Sequence, residues 1–352
     1  MGEAAGIKKI LVRAPNWIGD AVMCLPAIAA LNGLYPKAGI FVLAKARVSP
    51  VFENNPLIQE VIEYDDIKRH KGIAGRLRLA RELRAMGFDL AVLLQNAFDA
   101  AFIAYMARIP ERAGYSRDFR KQLLTRAIPV TEEIKKAHQV YYYLNIAVAL
   151  GAKTPKEPQP ALYLSKGEVS WADEFLREKG LGSAILIGAS PGASYGPAKR
   201  WPEKHFSSVL QRLSKEYGSV PVIFGSKEDL LFAEEVEAGL SGQSLNLAGK
   251  LTLRQFMALL KRMSLFITND SGPMHLSAAL NAPTVAVFGS TDPGLTGPVG
   301  PFTKVVKAPG IDCSPCFERE CRYKHYNCLN EIKPDDVYSA CKGIMAKGEN
   351  RV

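Results

Sequence analysis

Several features that would assign a chain of this kind quickly are missing. No run reaches the ~18 consecutive apolar residues of a membrane-spanning helix. The longest candidate, AVMCLPAIAAL (residues 21–31), is too short and contains Pro26. The opening MGEAAGIKKI has no long apolar segment of the secretory type, so a cytoplasmic location is expected, with any membrane contact made through charge. The loop after the first apolar run, RAPNWIGDAVMCLPA (residues 13–27), has no G-x-G-x-x-G fingerprint, which disfavours a nicotinamide cofactor. No Asp-x-Asp pair accompanies the loops at strand ends, where a nucleotide-sugar enzyme would seat a catalytic metal. No zinc-finger, RRM or helix-turn-helix pattern supports a nucleic-acid partner. Cysteine is almost confined to the C-terminal end. Cys24 stands alone, and the other five occur from residue 313 onward.

The chain has 352 residues, is 47% hydrophobic and carries a formal charge of +10. That length suits two domains with substantial cores. The charge favours an anionic partner, although a merely soluble basic protein would look the same.

Apolar strand-like runs alternate with helical patterns twice. The first series is KKILVRA (8–14), GIFVLA (39–44), VIEY (61–64) and DLAVLLQ (89–95). The second is AILIG (184–188), VPVIFG (220–225), SLNLAG (244–249), LFITND (265–270) and PTVAVFG (283–289). Strands alternating with helices predict α/β domains with parallel sheets covered on both faces. The proline-rich stretch 151–168 reads as the connection. The expected organisation is residues 1–160 and 161–335 as two Rossmann-like domains facing a central cleft, with 336–352 a final helix able to pack back on the N-terminal domain. Pro26 predicts an irregular or kinked first helix.

Chemistry concentrates in the loops at strand ends. Asp20 stands at a helix start, where it would serve as a cap or as a base. In SPGASYGPAKRWPEKHF (190–206), small residues allow close backbone approach and Lys199 and Arg200 offer cations: a solvated turn or an anion site. In NDSGPMH (269–275), a strand passes through Ser271 and Gly272 into a helix, an arrangement suited to pyrophosphate or simply to a capped helix over a buried His275. FGSKEDL (224–230) closes another strand in the same manner.

Together these segments resemble a known family. ILVRAPNWIGDAVMCLPAI, LLQNAFDAAF (93–102), SPGASYGPAKRWP, FGSKEDL, NLAG (246–249) and TNDSGPMHLSAALNAP resemble the ADP-heptose:lipopolysaccharide heptosyltransferases of glycosyltransferase family 9, most closely their heptosyltransferase II branch. The resemblance implies a GT-B architecture and inverting transfer of heptose from ADP-heptose to the lipopolysaccharide inner core, heptosylated Kdo-lipid A. The donor would be held mainly by the C-terminal half and the acceptor by the N-terminal half. It implies Asp20 as general base and Lys199 on the donor phosphate. Donor-side candidates are Ser194, Lys199, Arg200, Ser226, Lys227, Glu228, Asp270, Ser271, Gly272, Met274 and His275. Acceptor-side candidates are Asn16, Trp17, Asn96, Arg117 and Arg120. Fixed cations and a helix start would replace a catalytic metal at the departing ADP, and the enzyme would touch the inner membrane only peripherally. Competing readings are acceptor specificity of heptosyltransferase I or III, and a non-transferase nucleotide-sugar enzyme or binding module of the same fold.

The C-terminal cysteines stand outside that resemblance. CSPCFERECRYKHYNC (313–328) is C-x2-C-x4-C-x6-C, so Cys313, Cys316, Cys321 and Cys328 can form a tetrahedral zinc site, with His325 able to replace one ligand. Disulfides and free thiols remain open. Such a zinc would be structural and is expected to lie away from the donor and acceptor loops.

Overall fold

The computed structural model describes residues 6–348. Its contacts separate two compact units that join between Tyr163 and Leu164, inside the proline-rich stretch.

In the first unit, β1 (Lys9–Arg13), β2 (Gly39–Ala44), β3 (Glu60–Glu63), β4 (Leu90–Leu93), β5 (Glu111–Tyr115) and β6 (Arg126–Ile128) form one sheet in the order β3-β2-β1-β4-β5-β6. Every pairing is parallel, and β1 is central, with Arg13 level with Leu43 of β2 and Leu93 of β4. The alternation in β1 shows why the sheet is covered twice. Leu11 joins Phe41, Leu43, Ala91 and Leu93 in a core shared with α3 (Gly72–Met86) and α4 (Phe98–Met106). Ile10 and Val12, pointing the other way, are equally buried. The remaining helices are α1 (Ile18–Met23), α2 (Leu25–Leu34), α5 (Glu132–Lys136) and α6 (Gln139–Ala149); α2 packs along α6. Pro26 acts as anticipated: α1 stops at Met23, and α2 begins with Pro26 in its first turn, where a missing N–H does no harm.

The second unit repeats the plan. β7 (Leu186–Ser190), β8 (Val220–Ile223), β9 (Leu245–Asn246), β10 (Leu265–Asn269), β11 (Thr284–Phe288) and β12 (Thr303–Lys307) run in the order β12-β11-β10-β7-β8-β9, again all parallel. Before, between and after them come α7 (Lys166–Glu178), α8 (Glu203–Tyr217), α9 (Leu230–Ala238), α10 (Leu253–Leu260), α11 (Gly272–Ala279), α12 (Pro293–Thr296), α13 (Asn327–Asn330) and α14 (Pro334–Gly348). α7 starts with a reciprocal Ser165–Glu168 capping box, and Arg254 of α10 grips the same carboxylate at 2.6 and 2.7 Å.

The last helix corrects one expectation. α14 lies on α8 and on β10–β12, with Val337, Cys341 and Ile344 inside the core of the second unit. Its apolar side chains complete the face that Phe206, Leu210 and Leu213 of α8 cover only in part, so the last helix belongs with this sheet rather than with the N-terminal one. Three strands had no sequence signal. β5, β6 and β12 carry charged residues and are only partly buried, so they lack the continuous apolar run of a central strand.

Candidate active site

In the first unit, β1 delivers the chain through residues 14–17 straight into α1. Beneath this turn lies Arg13, only 2% exposed. Its guanidinium donates to the Ala14 carbonyl at 2.5 Å and to Asn16 Oδ1 at 2.9 Å, and it faces the Tyr64 ring at 5.2 Å. Burial pulls its pKa down; the charge of Asp99 works the other way. This buried cation fixes the Asn16 side chain, while Arg47 Nε donates to the Asn16 carbonyl at 2.7 Å and stacks over Trp17 at 4.8 Å. Trp17 itself is half exposed.

Asp20 is the third residue of α1, not its cap; Trp17 occupies the cap position and makes no side-chain capping bond. The half-buried Asp20 carboxylate receives the Tyr143 hydroxyl from α6 at Oδ1, 2.8 Å away. Burial first, then the charge of Asp20, push the Tyr143 phenol well above its ordinary value, so it remains a neutral donor. Cys24 is raised by burial and by Asp20 in the same way and stays an inert thiol.

The neighbouring tyrosine serves a second candidate. Asn96 Nδ2 donates to the Tyr142 hydroxyl at 2.7 Å, and Asn96 Oδ1 accepts from Arg120 at 2.8 Å. Here the sequence reading needs correction. Arg120 is fully buried and also donates to the carbonyls of Tyr115 and Gln95. Burial brings its pKa down to about 10. It positions Asn96 from inside and is not a surface contact for an acceptor. Arg117 is the exposed one, 3.5 Å from the Tyr142 hydroxyl and paired at 3.7 Å with Asp118.

In the second unit the corresponding loop, residues 191–202, is far longer. Asn269, the last residue of β10, ties its two ends: Nδ2 donates to the Pro191 carbonyl at 2.6 Å and Oδ1 accepts from the Trp201 N–H at 3.0 Å. Trp201 is buried and donates its indole N–H to Ile332. Lys199 closes a short 3₁₀ turn (Pro197–Lys199) and places Nζ 2.5 Å from Asp270 Oδ2 and 4.6 Å from the Tyr195 ring. Asp270 is 3% exposed and also accepts from the Thr291 hydroxyl. Arg200 turns elsewhere, its guanidinium 4.2 Å from the Phe232 ring. Ser194 is exposed on the loop.

Asp270 leads through Ser271 to Gly272 at the start of α11. Ser271 is extended and makes no capping bond; its hydroxyl bonds back to the Asn269 carbonyl at 3.3 Å. His275 is largely buried, and Met274 is wholly so, packed on Ala286 and Phe288. Met274 therefore supports the helix from below, as residues three or four apart on a helix turn to one face. After β8, Lys227 and Glu228 are exposed, whereas the Ser226 hydroxyl is spent on Asp229 at 2.7 Å. Asp229 sits so close beneath the long loop that any side chain at Gly192 would overlap its carboxylate.

Sequence reasoning missed Asn269, Thr291 and Asp229. Only Asn269, adjacent to a flagged aspartate, carried any hint. The cysteine segment was also misplaced. It does not stand apart from the Lys199 loop: the Tyr195 hydroxyl donates to the Phe317 carbonyl at 2.5 Å, and the Ala198 N–H donates to the Arg319 carbonyl at 3.1 Å.

The profile of glycosyltransferase family 9 (heptosyltransferase) matches residues 76–327. The chain is 35% identical over 310 residues to lipopolysaccharide heptosyltransferase 2 of Salmonella typhimurium, covering 85% of this chain and 88% of that one. The solved ADP-heptose lipopolysaccharide heptosyltransferase II of Escherichia coli superposes with a TM-score of 0.83 at 31% identity, over 97% of this chain and 99% of that one. A family 9 glycosyltransferase of Veillonella parvula superposes with a TM-score of 0.89 at 26% identity, over 97% and 98%.

Proposed function

The chain belongs to glycosyltransferase family 9, and from that premise we propose that it moves a heptosyl group from ADP-heptose onto a heptose of the lipopolysaccharide inner core, the step of a heptosyltransferase II. The observation that carries the reading to particular residues is the ion pair at the end of the 191–202 loop. Lys199 has three N–H donors, and Asp270 occupies one direction only, so the ammonium is aimed and still able to receive a diphosphate oxygen.

The chemistry divides between the two units. The acceptor hydroxyl gives its proton to Asp20 as its oxygen attacks the anomeric carbon. The bond from that carbon to the phosphate oxygen breaks, and ADP leaves with the electron pair and the developing negative charge. Tyr143 holds the Asp20 carboxylate in one orientation. Lys199 and the start of α11 at Ser271 and Gly272 supply fixed positive potential where the charge grows. Such fixed donors supply what a catalytic metal would at the departing ADP, so we propose that the transfer step, measured at saturating donor, survives a strong chelator. The +10 charge supports approach to an anionic, phosphorylated acceptor at a membrane surface, and among the described residues no helix is long and apolar enough to cross a membrane.

Product analysis with defined acceptors carrying no, one or two heptoses tests this reading. Transfer to the singly heptosylated acceptor alone is expected. Transfer to the bare or doubly heptosylated acceptor would reassign the step, and consumption of ADP-heptose without any acceptor would point to a non-transferase enzyme of this fold.

A further inference from the structure

The segment from Asp312 to Tyr326 has almost no regular structure and little apolar anchoring: Phe317 is 48% exposed and Tyr323 60%. Phe317, Lys324 and Tyr326 all hold left-handed backbone, which costs free energy in a non-glycine residue. Polar bonds pin one edge, where the Cys316 and Phe317 N–H groups share the Ser290 carbonyl and the Ser314 hydroxyl reaches Gly289. Beyond that edge the segment encloses a cavity of about 350 Å³. All four thiols, Cys313, Cys316, Cys321 and Cys328, line it, as does His325.

We propose that Cys313, Cys316, Cys321 and Cys328 bind one thiolate-preferring metal ion, zinc first, and that through Phe317 and Arg319 this ion holds the Lys199 loop in its working position.

Two observations support the site. The four sulfurs come from one C-x2-C-x4-C-x6-C stretch and face one space, as tetrahedral thiolate coordination requires. Around Cys321 the chain curls tightly. The backbone N–H groups of Tyr326, Tyr323, His325 and Lys324 gather around its sulfur. Amide N–H groups around a sulfur are the outer partners that thiolate ligands use. Among the described residues no three His, Cys, Asp or Glu side chains stand at ion-binding distance; Cys321 Sγ and His325 Nδ1, for example, are 4.0 Å apart. Binding therefore draws the thiols together, releasing their protons, and three of the four lie in the irregular segment, where movement is easiest.

The coupling to Lys199 rests on the stretch between Cys316 and Cys321. It supplies the Phe317 carbonyl to Tyr195 and the Arg319 carbonyl to Ala198, and the Arg319 guanidinium lies 5.3 Å from the Tyr195 ring. Gly196, at φ +146, passes so near that a Cβ there would stand 2.5 Å from the Arg319 carbonyl oxygen. Two metal ligands thus flank both acceptors that brace the loop. This second part rests on the proposed role of Lys199; the metal site does not.

Elemental analysis of full-length protein, purified under reducing conditions without added metal, decides the first part. About one zinc per chain is expected from a single four-thiolate site. One iron per chain would keep the site and change its occupant. No metal, with four of these thiols titratable or joined as disulfides, overturns it. Co²⁺ added to chelator-treated protein should give sulfur-to-cobalt charge-transfer absorption, lost in the double variant Cys313→Ser, Cys316→Ser. For the coupling, ADP binding is compared before and after metal removal, and in Tyr195→Phe with its metal retained. Loss of one bracing hydrogen bond should weaken ADP by about 2–10-fold, and metal removal by at least as much. Metal bound and released with unchanged ADP affinity would overturn the coupling and leave the site standing, even where the double cysteine variant fails to fold.

Discussion

The two units share a strand order and differ in the connection that leaves their first, central strand. In the first unit the chain passes through residues 14–17 directly into α1, and a carboxylate appears in the first helical turn. In the second it wanders through residues 191–202 before α8 begins. The same topological position, the carboxyl end of a central parallel strand where a doubly wound sheet opens, is used in two ways. A short turn needs less support: Arg13 below, Arg47 on the Asn16 carbonyl and Tyr143 on Asp20 hold it. A long loop leaves many backbone groups to satisfy, and the second unit spends Asn269, Trp201, Asp270 and the cysteine segment on holding it. The charges are opposite as well. The acid in the first unit is met by a neutral hydroxyl, whereas the lysine in the second is met by a carboxylate. That contrast suits the roles proposed for Asp20 as a base and for Lys199 as an anion clamp.

The sharpest way to break the comparison is to disable one side only. Asp20→Asn should lower transfer by ~10²–10⁴-fold, the usual contribution of a general base, while ADP binding and thermal unfolding stay close to wild type. Near-normal turnover would remove Asp20 from the mechanism.

Disabling the other side should look different. Lys199→Ala is expected to weaken ADP affinity and turnover together, each by about 10–100-fold, as for a lost charge-assisted hydrogen bond. Lys204→Ala, an exposed change within α8, should do little. Equal effects at the two lysines would show that only bulk positive charge matters.

A subtler test asks what the neutral hydroxyl does for the acid. Tyr143→Phe removes a donor from Asp20, which disfavours the ionised carboxylate. The acid limb of the kcat/KM profile should move to higher pH, with turnover at neutral pH lower by about 2–10-fold. A merely structural tyrosine would change stability and leave the limb in place.

The smallest effect separates support from chemistry within the second unit. Hydrogen bonding from Arg254 is the main cause that brings the Glu168 carboxyl from its ordinary 4.5 to about 2. Its folded value is depressed, so its stabilisation is complete above pH 4.5 and is lost as pH falls from there through about 2. Glu168→Gln should cost about 1–2 kcal/mol at neutral pH, allowing for partial solvent screening. It should also flatten the loss of stability between pH 4.5 and pH 2 seen in urea titrations of the wild type. A parallel acid loss in the variant would assign that stability to other groups.

Most of the scaffold was legible without coordinates, because central parallel strands are apolar on both faces and announce themselves. Each run of the two series became a strand, from β1–β4 through β7–β11. Their terminal loops were legible too, since no packing demand explains Gly-Asp at 19–20, Lys-Arg at 199–200 or Asp-Ser-Gly at 270–272. The strands β5, β6 and β12 were not, for each carries charged residues and is only partly buried, leaving no continuous apolar run to mark it.

What the sequence determined by itself is therefore the alternation of elements and the stock of reactive side chains, both written in short stretches of neighbouring residues. Tertiary structure decided their partners and their solvent. Tyr143 meets Asp20 across 123 residues, and Asn269 reaches Pro191 across 78. Arg117 and Arg120 look alike as letters in a chain, yet one faces water and the other is sealed beneath Asn96. The cysteine segment, last in the chain among the loops, returns to brace the Lys199 loop through two backbone carbonyls that no side-chain pattern encodes. Backbone acceptors are the same at every position, so only their placement in space gives them a role.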